Sequence, residues 1–367
     1  MSEERKFASL LTDYCVEVKK GDEVLITSGL EALGLAREIY RRVLERGGYP
    51  RFMLVDDVMT EMFYRYAAPE ILEYLSPIDK VLYEKVDARI TIMAPSHVKP
   101  LVGIDPERVK TRSRATRELT EIFMRRESEG SLRWVLTAYP TQAMAQEAGM
   151  SPLEWREFVF RAVKLYAEDP VAEWKRQAVF QERVVKALSK VDEVKLEGEG
   201  VNLLLKVGGR TWISDDGKNN MPGGEVFTAP HEDSAEGYIE FTYPAVWRGY
   251  EVEGVRLEFS RGLVVKATAR KGEEFLKKML KTDEGARRIG EFAFGLNYDI
   301  NRFTKEILFD EKIGGTIHLA LGASYPRTGG VNKSSIHWDM IKDMRRGRVK
   351  ADDDIIYENG RFLEEVL

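Results

Sequence analysis

From Glu23 to Thr137, short apolar runs alternate with segments whose hydrophobic residues recur every third or fourth position, and few architectures accept that alternation. Glu23 to Thr27 (EVLIT) reads as a strand. After the Ser28-Gly29 turn, Leu33, Ala36, Ile39, Tyr40, Val43 and Leu44 mark one face of a helix, which Gly47-Gly48 closes. Arg51 to Val55 is a second strand, and the three elements form a βαβ unit. The pattern continues with a short helix from Pro69 to Leu75, a strand from Ala88 to Met93, a charged helix from about Pro106 to Arg126 and a strand from Arg133 to Thr137. Strands separated by helices of this length predict an α/β amino-terminal domain with a mostly parallel sheet.

From Ser151 to Lys190 the chain reads as helix, broken by Asp169-Pro170. Near Lys190 the pattern changes, which sets the expected domains at residues 1–190 and 191–367. Val194 to Leu196, Val201 to Val207, Thr211 to Ile213, Gly237 to Phe241, Val255 to Phe259 and Leu263 to Thr268 are short strands joined by Gly, Asp and Asn turns, the signature of antiparallel pairing. A helical pair, Gly272 to Lys281 and Asp283 to Gly290, follows. The carboxy-terminal half is therefore expected to be an α+β domain with mainly antiparallel strands. The tail after Arg348 carries no assigned chemistry.

No apolar run approaches the roughly 18 residues that span a bilayer, and MSEERKFASLLTDYC lacks a signal peptide's apolar core, so a cytoplasmic location is expected. The single cysteine, Cys15, excludes internal disulfides and thiolate metal clusters within one chain. A net charge of −5 with interleaved signs offers no basic stripe for nucleic acid. The 32% of charged residues is compatible with a heat-adapted source.

Chemistry concentrates between Gly314 and Met340, which holds two of the four histidines. Turns around Tyr325-Pro326 and Thr328-Gly329-Gly330 let the chain fold back, so that His318 and His337 can meet. On an extended segment the period of two points His337 and Asp339 to one face and turns Trp338 away. Imidazole and carboxylate together suit a divalent cation. Two histidines and one aspartate are too few for a pair of metals, so further carboxylates are expected. Glu225, between a Gly pair and an apolar strand, and Glu291, among small and aromatic residues, are the candidates, because a glutamate in such surroundings needs a cation or hydrogen bonds. The segment His231 to Ala235 is not the zincin helix, since position 235 is alanine where H-E-x-x-H needs histidine.

NMPGGEVFTAP, EGYIEF, GARRIGEFAFGLN, DEKIGGTIHLALGASYP and NKSSIHWDMIKDMR, in this order, resemble the aminopeptidase T family of thermophilic metalloaminopeptidases. LLTDYCVEVKKGDEVLI, GIDPERV and TAYPTQAMAQEAGMS extend the likeness through the first half. The resemblance implies a two-domain peptidase with two divalent metal ions in the carboxy-terminal domain, a homodimer, and peptide substrates with a free amino terminus. It implies Glu225, Glu291, His318, His337 and Asp339 as metal ligands, Glu311 as a further ligand or near neighbour, and Tyr325 as the active-site tyrosine. Glu291 or Glu225 would bridge the ions. Two ions so placed polarise the peptide carbonyl and activate water, a free carboxylate such as Glu291 moves the proton, and Tyr325 hydrogen-bonds the oxyanion. Zinc, cobalt, manganese and magnesium all remain open from these mixed N/O ligands. The alternative is a ring-cleaving dioxygenase of dihydroxypyridines on the same fold, with His318, His337 and Asp339 around one Fe(II). Two extra glutamates favour the peptidase.

Overall fold

Valine, leucine and isoleucine at positions 24 to 26 are all buried, as a strand covered on both faces requires. The structure, a computed structural model, describes residues 2–367. The chain forms two compact units: one runs to Glu173 and takes in Gly217–Pro222, the other comprises Trp174–Asp216 and Gly223–Leu367. The division thus falls inside the helix Pro170–Leu188, ahead of Lys190, because Val184 and Leu188 of that helix pack into the core of the second unit.

In the first unit β1 (Glu23–Gly29), β2 (Tyr49–Val55), β3 (Ala88–Met93) and β4 (Arg133–Ala138) are parallel, in the order β2-β1-β3-β4. The helix Leu33–Glu45 buries Leu35, Ala36, Ile39 and Val43, so three of the six residues read from its period are in the core, while Tyr40 and Leu44 are exposed. The charged helix is in fact two, Pro106–Ala115 and Arg117–Ser128, interrupted at Thr116. The Thr116 hydroxyl donates to the Arg112 carbonyl, the side-chain competition that weakens threonine inside helices. Helices Asp57–Tyr66 and Pro77–Lys85 bury no residue, so they leave no core-facing period to read.

The second unit begins with β5 (Glu193–Gly198), β6 (Val201–Lys206) and β7 (Ile213–Asp215). The chain then gives β8 (Asn220–Met221) to the first unit, where it pairs parallel with β4. It returns as β9 (Glu225–Thr228), β10 (Glu236–Glu240), β11 (Ala245–Trp247), β12 (Tyr250–Val252), β13 (Arg256–Ser260) and β14 (Leu263–Thr268). The remaining strands are β15 (Ile289–Gly295), β16 (Thr316–Gly322), β17 (His337–Asp343), β18 (Gly347–Ala351), β19 (Asp354–Glu358) and β20 (Arg361–Phe362). They make an antiparallel eight-stranded sheet, β14-β13-β10-β6-β5-β18-β19-β20, and a five-stranded one, β17-β16-β15-β9-β7, beside the hairpin β11-β12. The tail after Arg348 is therefore structural.

One face of the five-stranded sheet meets the eight-stranded sheet. Val226, Phe292, Phe294, Ile317, Leu319, Leu321, Trp338 and Met340 enter a shared core, with Phe294 against Tyr357 at 5.3 Å and Phe362 at 4.8 Å between ring centroids. At about 25 cal/mol per Å², each such buried side chain contributes roughly 1.5–3 kcal/mol. No helix among the described residues is long and apolar enough to cross a membrane.

Candidate metal centre

Alternation along the strands decides what the other face of the five-stranded sheet carries. Glu225 lies opposite Gly295, Glu291 opposite Ala320, and His318 opposite Ala293. Asp339 also faces Ala320, and His337 faces Gly322. Every polar group thus stands beside an alanine or glycine, which leaves room above the sheet for the long side chains to converge. One irregularity is needed: the pairing shifts between Ile289 and Glu291. In a regular strand those two would share a face, and the bulge sends Ile289 to the core while Glu291 joins the polar set. Gly290 permits it, because a Cβ there would lie 2.3 Å from the Ala323 carbonyl oxygen.

The convergence is close. His318 Nε2 is 3.2 Å from Glu291 Oε1 and 3.4 Å from Glu225 Oε2. His337 Nε2 is 3.4 Å from Glu291 Oε2 and 3.6 Å from Asp339 Oδ1. Glu291 therefore reaches one imidazole with each oxygen. His337 Nδ1 donates to the Ala323 carbonyl at 2.8 Å, which leaves Nε2 as the ring atom facing the cluster. Three groups gather ligand atoms within 4.8 Å of one another: Glu225, Glu291 and His318; Glu291, His337 and Asp339; Glu311, His318 and Asp339. Tyr325 packs its ring 5.1 Å from that of His337 and 5.7 Å from that of Phe227.

The charges follow from this crowding. Burial opposes ionisation of Glu291, but the hydrogen bond with His318 and the charge of both imidazoles overcome it and hold the carboxyl at about 2. Burial likewise opposes the imidazoliums, yet Glu291 and Glu225 lift His318 to about 9, and Asp339 and Glu291 lift His337 to about 10. Glu225 and Asp339 are pushed up, chiefly by burial. Burial and the surrounding carboxylates also raise the Tyr325 hydroxyl, so it keeps its proton although 42% of the residue is exposed.

Glu225 Oε2, Glu291 Oε2 and Asp339 Oδ1 are buried without a hydrogen-bond partner. Buried oxygens are normally satisfied, and a mixed set of carboxylates and imidazoles suits a divalent cation. The residues present fit such an ion.

The pattern of the thermophilic metalloprotease (M29) family matches residues 2–362. The chain belongs to this family. It is similar to aminopeptidase T of Thermus thermophilus, at 29% identity over 97% of this chain and 95% of the relative. Aminopeptidase 2 of Geobacillus stearothermophilus is also 29% identical, over 92% of this chain and 90% of the relative. The solved structure of wild-type AmpT from Thermus thermophilus superposes with a TM-score of 0.83, at 25% identity, covering 98% of this chain and 99% of that one. As a member of a metalloprotease family, the chain uses divalent metal.

Within the family's fold, the structure brings Glu225, Glu291, Glu311, His318, His337 and Asp339 together. The other two histidines have local partners: His231 Nε2 lies 2.8 Å from the Gly208 carbonyl, and in the first unit His97 Nδ1 accepts from the Lys99 amide. Sequence reasoning missed two residues of the cluster. Lys312 is fully buried, and its ammonium pairs with Glu311 and stands 3.5 Å from both Glu225 and Asp215. Asp215 lies directly opposite Glu225 across β7 and β9. The available signal was slight, a lone lysine between a short helix and a wholly buried strand.

Proposed function

We propose that the protein is a metalloaminopeptidase that removes the amino-terminal residue, leucine-like residues among others, from peptides with the help of two divalent ions. The observation that carries this reading is Glu291, whose two oxygens reach His318 and His337 separately and so stand between two ligand groups. Glu291 would then be the carboxylate shared by the two ions, one of which Glu225, His318 and Glu311 would hold and the other His337 and Asp339. Charge supports the count. With both imidazoles neutral, as ligands must be, Asp215, Glu225, Glu291, Glu311 and Asp339 against the Lys312 ammonium would leave four negative charges, which two divalent cations neutralise and one does not.

Bound there, the ions supply Lewis acidity and a water acidified towards neutral pH. The chain's own residues do the rest. Tyr325, held protonated, donates a hydrogen bond to the oxyanion that forms at the peptide carbonyl, a contribution of about 3 kcal/mol. Glu291 would serve as the proton carrier from the attacking water to the leaving amine only through an oxygen not occupied by metal. The substrate's free α-amine would be held at one of the two ions, which would restrict cutting to the amino terminus.

Zinc, cobalt, manganese and magnesium each suit the donor set. The same reading includes a cytoplasmic homodimer. β2 is an edge strand that exposes Phe52, Met53, Leu54 and Val55, and the next helix exposes Met59 and Met62, apolar surface of the kind a partner covers. The test is release of leucine from a chromogenic leucyl amide after chelation and re-addition of single metals. Oxygen uptake with a dihydroxypyridine, and no leucine release with any metal, would transfer the assignment to a mononuclear iron site.

A further inference from the structure

Antiparallel pairing sets Asp215 and Glu225 directly across from each other on β7 and β9, an arrangement of like charges that destabilises a sheet by itself. Lys312 answers it. The residue lies just after the short helix Ile307–Asp310, and its backbone is pinned at both groups: its amide donates to the Phe309 carbonyl, and its own carbonyl accepts from the Asn297 amide. The side chain is 0% exposed, and its ammonium stands 3.5 Å from Asp215 Oδ2, 3.5 Å from Glu225 Oε1 and against Glu311 Oε1.

The division of labour on Glu225 is specific. Lys312 engages Oε1, while Oε2, the oxygen without a hydrogen-bond partner, faces His318 Nε2 at 3.4 Å. Glu311 is held in the same way through Oε1, and it belongs to the ligand group of His318 and Asp339. A compact ammonium with three donors fits among three carboxylates better than a planar guanidinium would.

We propose that Lys312 is a positioning residue that orients Glu225 and Glu311 so that each presents one oxygen to the ion beside His318. The role is selective, because the group of Glu291, His337 and Asp339 has no contact with Lys312 among the ion pairs of the cluster. The inference rests on the two-ion reading above.

Calorimetric titration of the chelator-treated full chain with Mn²⁺ alone separates the two. Wild type is expected to take up two equivalents. Lys312→Met is expected to bind one as wild type does and the other about 10–100-fold more weakly, the usual cost of removing a group that orients a ligand. Simple electrostatics gives the opposite sign, since deleting a cation should tighten binding of another cation. Lys312→Met/Asp215→Asn keeps the net charge, serves if the single variant does not fold, and is expected to show the same selective loss. Two equivalents at wild-type or higher affinity in the folded variants would overturn the assignment of Lys312 alone. Rescue of binding in the double variant would overturn it in favour of charge balance, as would failure of both variants to fold with Mn²⁺ present. Fewer than two equivalents in wild type would instead remove the two-ion reading, and the inference with it.

Discussion

Removing the metal should cost the second unit a large part of its stability, and the structure gives the size. Glu225 Oε2, Glu291 Oε2 and Asp339 Oδ1 are buried without hydrogen-bond partners. Each unsatisfied buried group costs about 1–3 kcal/mol, so ligation relieves roughly 3–9 kcal/mol. Mass action gives a consistent figure, about 2.7 kcal/mol per site at a free-ion concentration a hundredfold above Kd, or about 5 kcal/mol for two sites. At roughly 2–4 °C per kcal/mol for a unit of this size, Mn²⁺ should raise its melting temperature by about 10–20 °C. Differential scanning calorimetry of the whole chain, with chelator and then with excess Mn²⁺, measures it. The transition of the first unit, which carries none of the cluster, should stay in place. If chelated and Mn²⁺-loaded protein melt within about 2 °C of each other, the unpaired oxygens are not ion ligands and the reasoning fails.

His337→Ala and Asp339→Ala should each reduce leucyl amide hydrolysis to background while melting stays cooperative, because both side chains face the cluster and neither enters the core; wild-type turnover under limiting metal would exclude that residue from the site. Tyr325→Phe should lower kcat about 10²–10³-fold with little change in KM, since only the oxyanion contact is lost, and steady-state kinetics decides it. Asp283 caps the short helix Glu284–Arg287 and accepts from Ser334 and from both the amide and hydroxyl of Ser335. Burial opposes its ionisation, but those bonds hold it at about 2, so its contribution is present above the usual carboxylate range and fades as pH falls towards 2. Asp283→Ala should therefore cost about 1 kcal/mol at neutral pH, and urea unfolding should show the gap closing in acid.

Strand and helix periods made β1, β3 and the helix Leu33–Glu45 legible because each buries apolar residues, whereas β2 was readable from its apolar composition alone, since it is exposed. The helices Asp57–Tyr66 and Pro77–Lys85 escaped for the converse reason, having no buried face to impose a repeat. His337 and Asp339 were readable as a pair because a strand's period of two does not depend on its neighbours. Glu291 was recognised by its apolar surroundings, but its strand was not, since the bulge at Gly290 breaks the alternation at its entrance. Lys312 and Asp215 were hidden because a charged residue beside a turn ordinarily faces water. Only the tertiary fold shows that 97 residues of chain separate two groups 3.5 Å apart.

The excursion of the chain into β8 has a practical consequence. Asp215 and Glu225 stand at either foot of a loop whose tip is stitched to the first sheet, with the Leu136 amide donating to Asn219 and the Thr137 hydroxyl to Met221. Splitting the gene after Glu173 or after Lys190 would strip the amino-terminal half of its last strand and leave a bare edge open to aggregation. The carboxy-terminal half would carry an untethered loop between Asp215 and Glu225 of its acid cluster. Each half expressed alone should therefore be less stable than in the whole chain, and recombination between relatives should succeed best where the crossover keeps residues 217–222 with the sheet they complete.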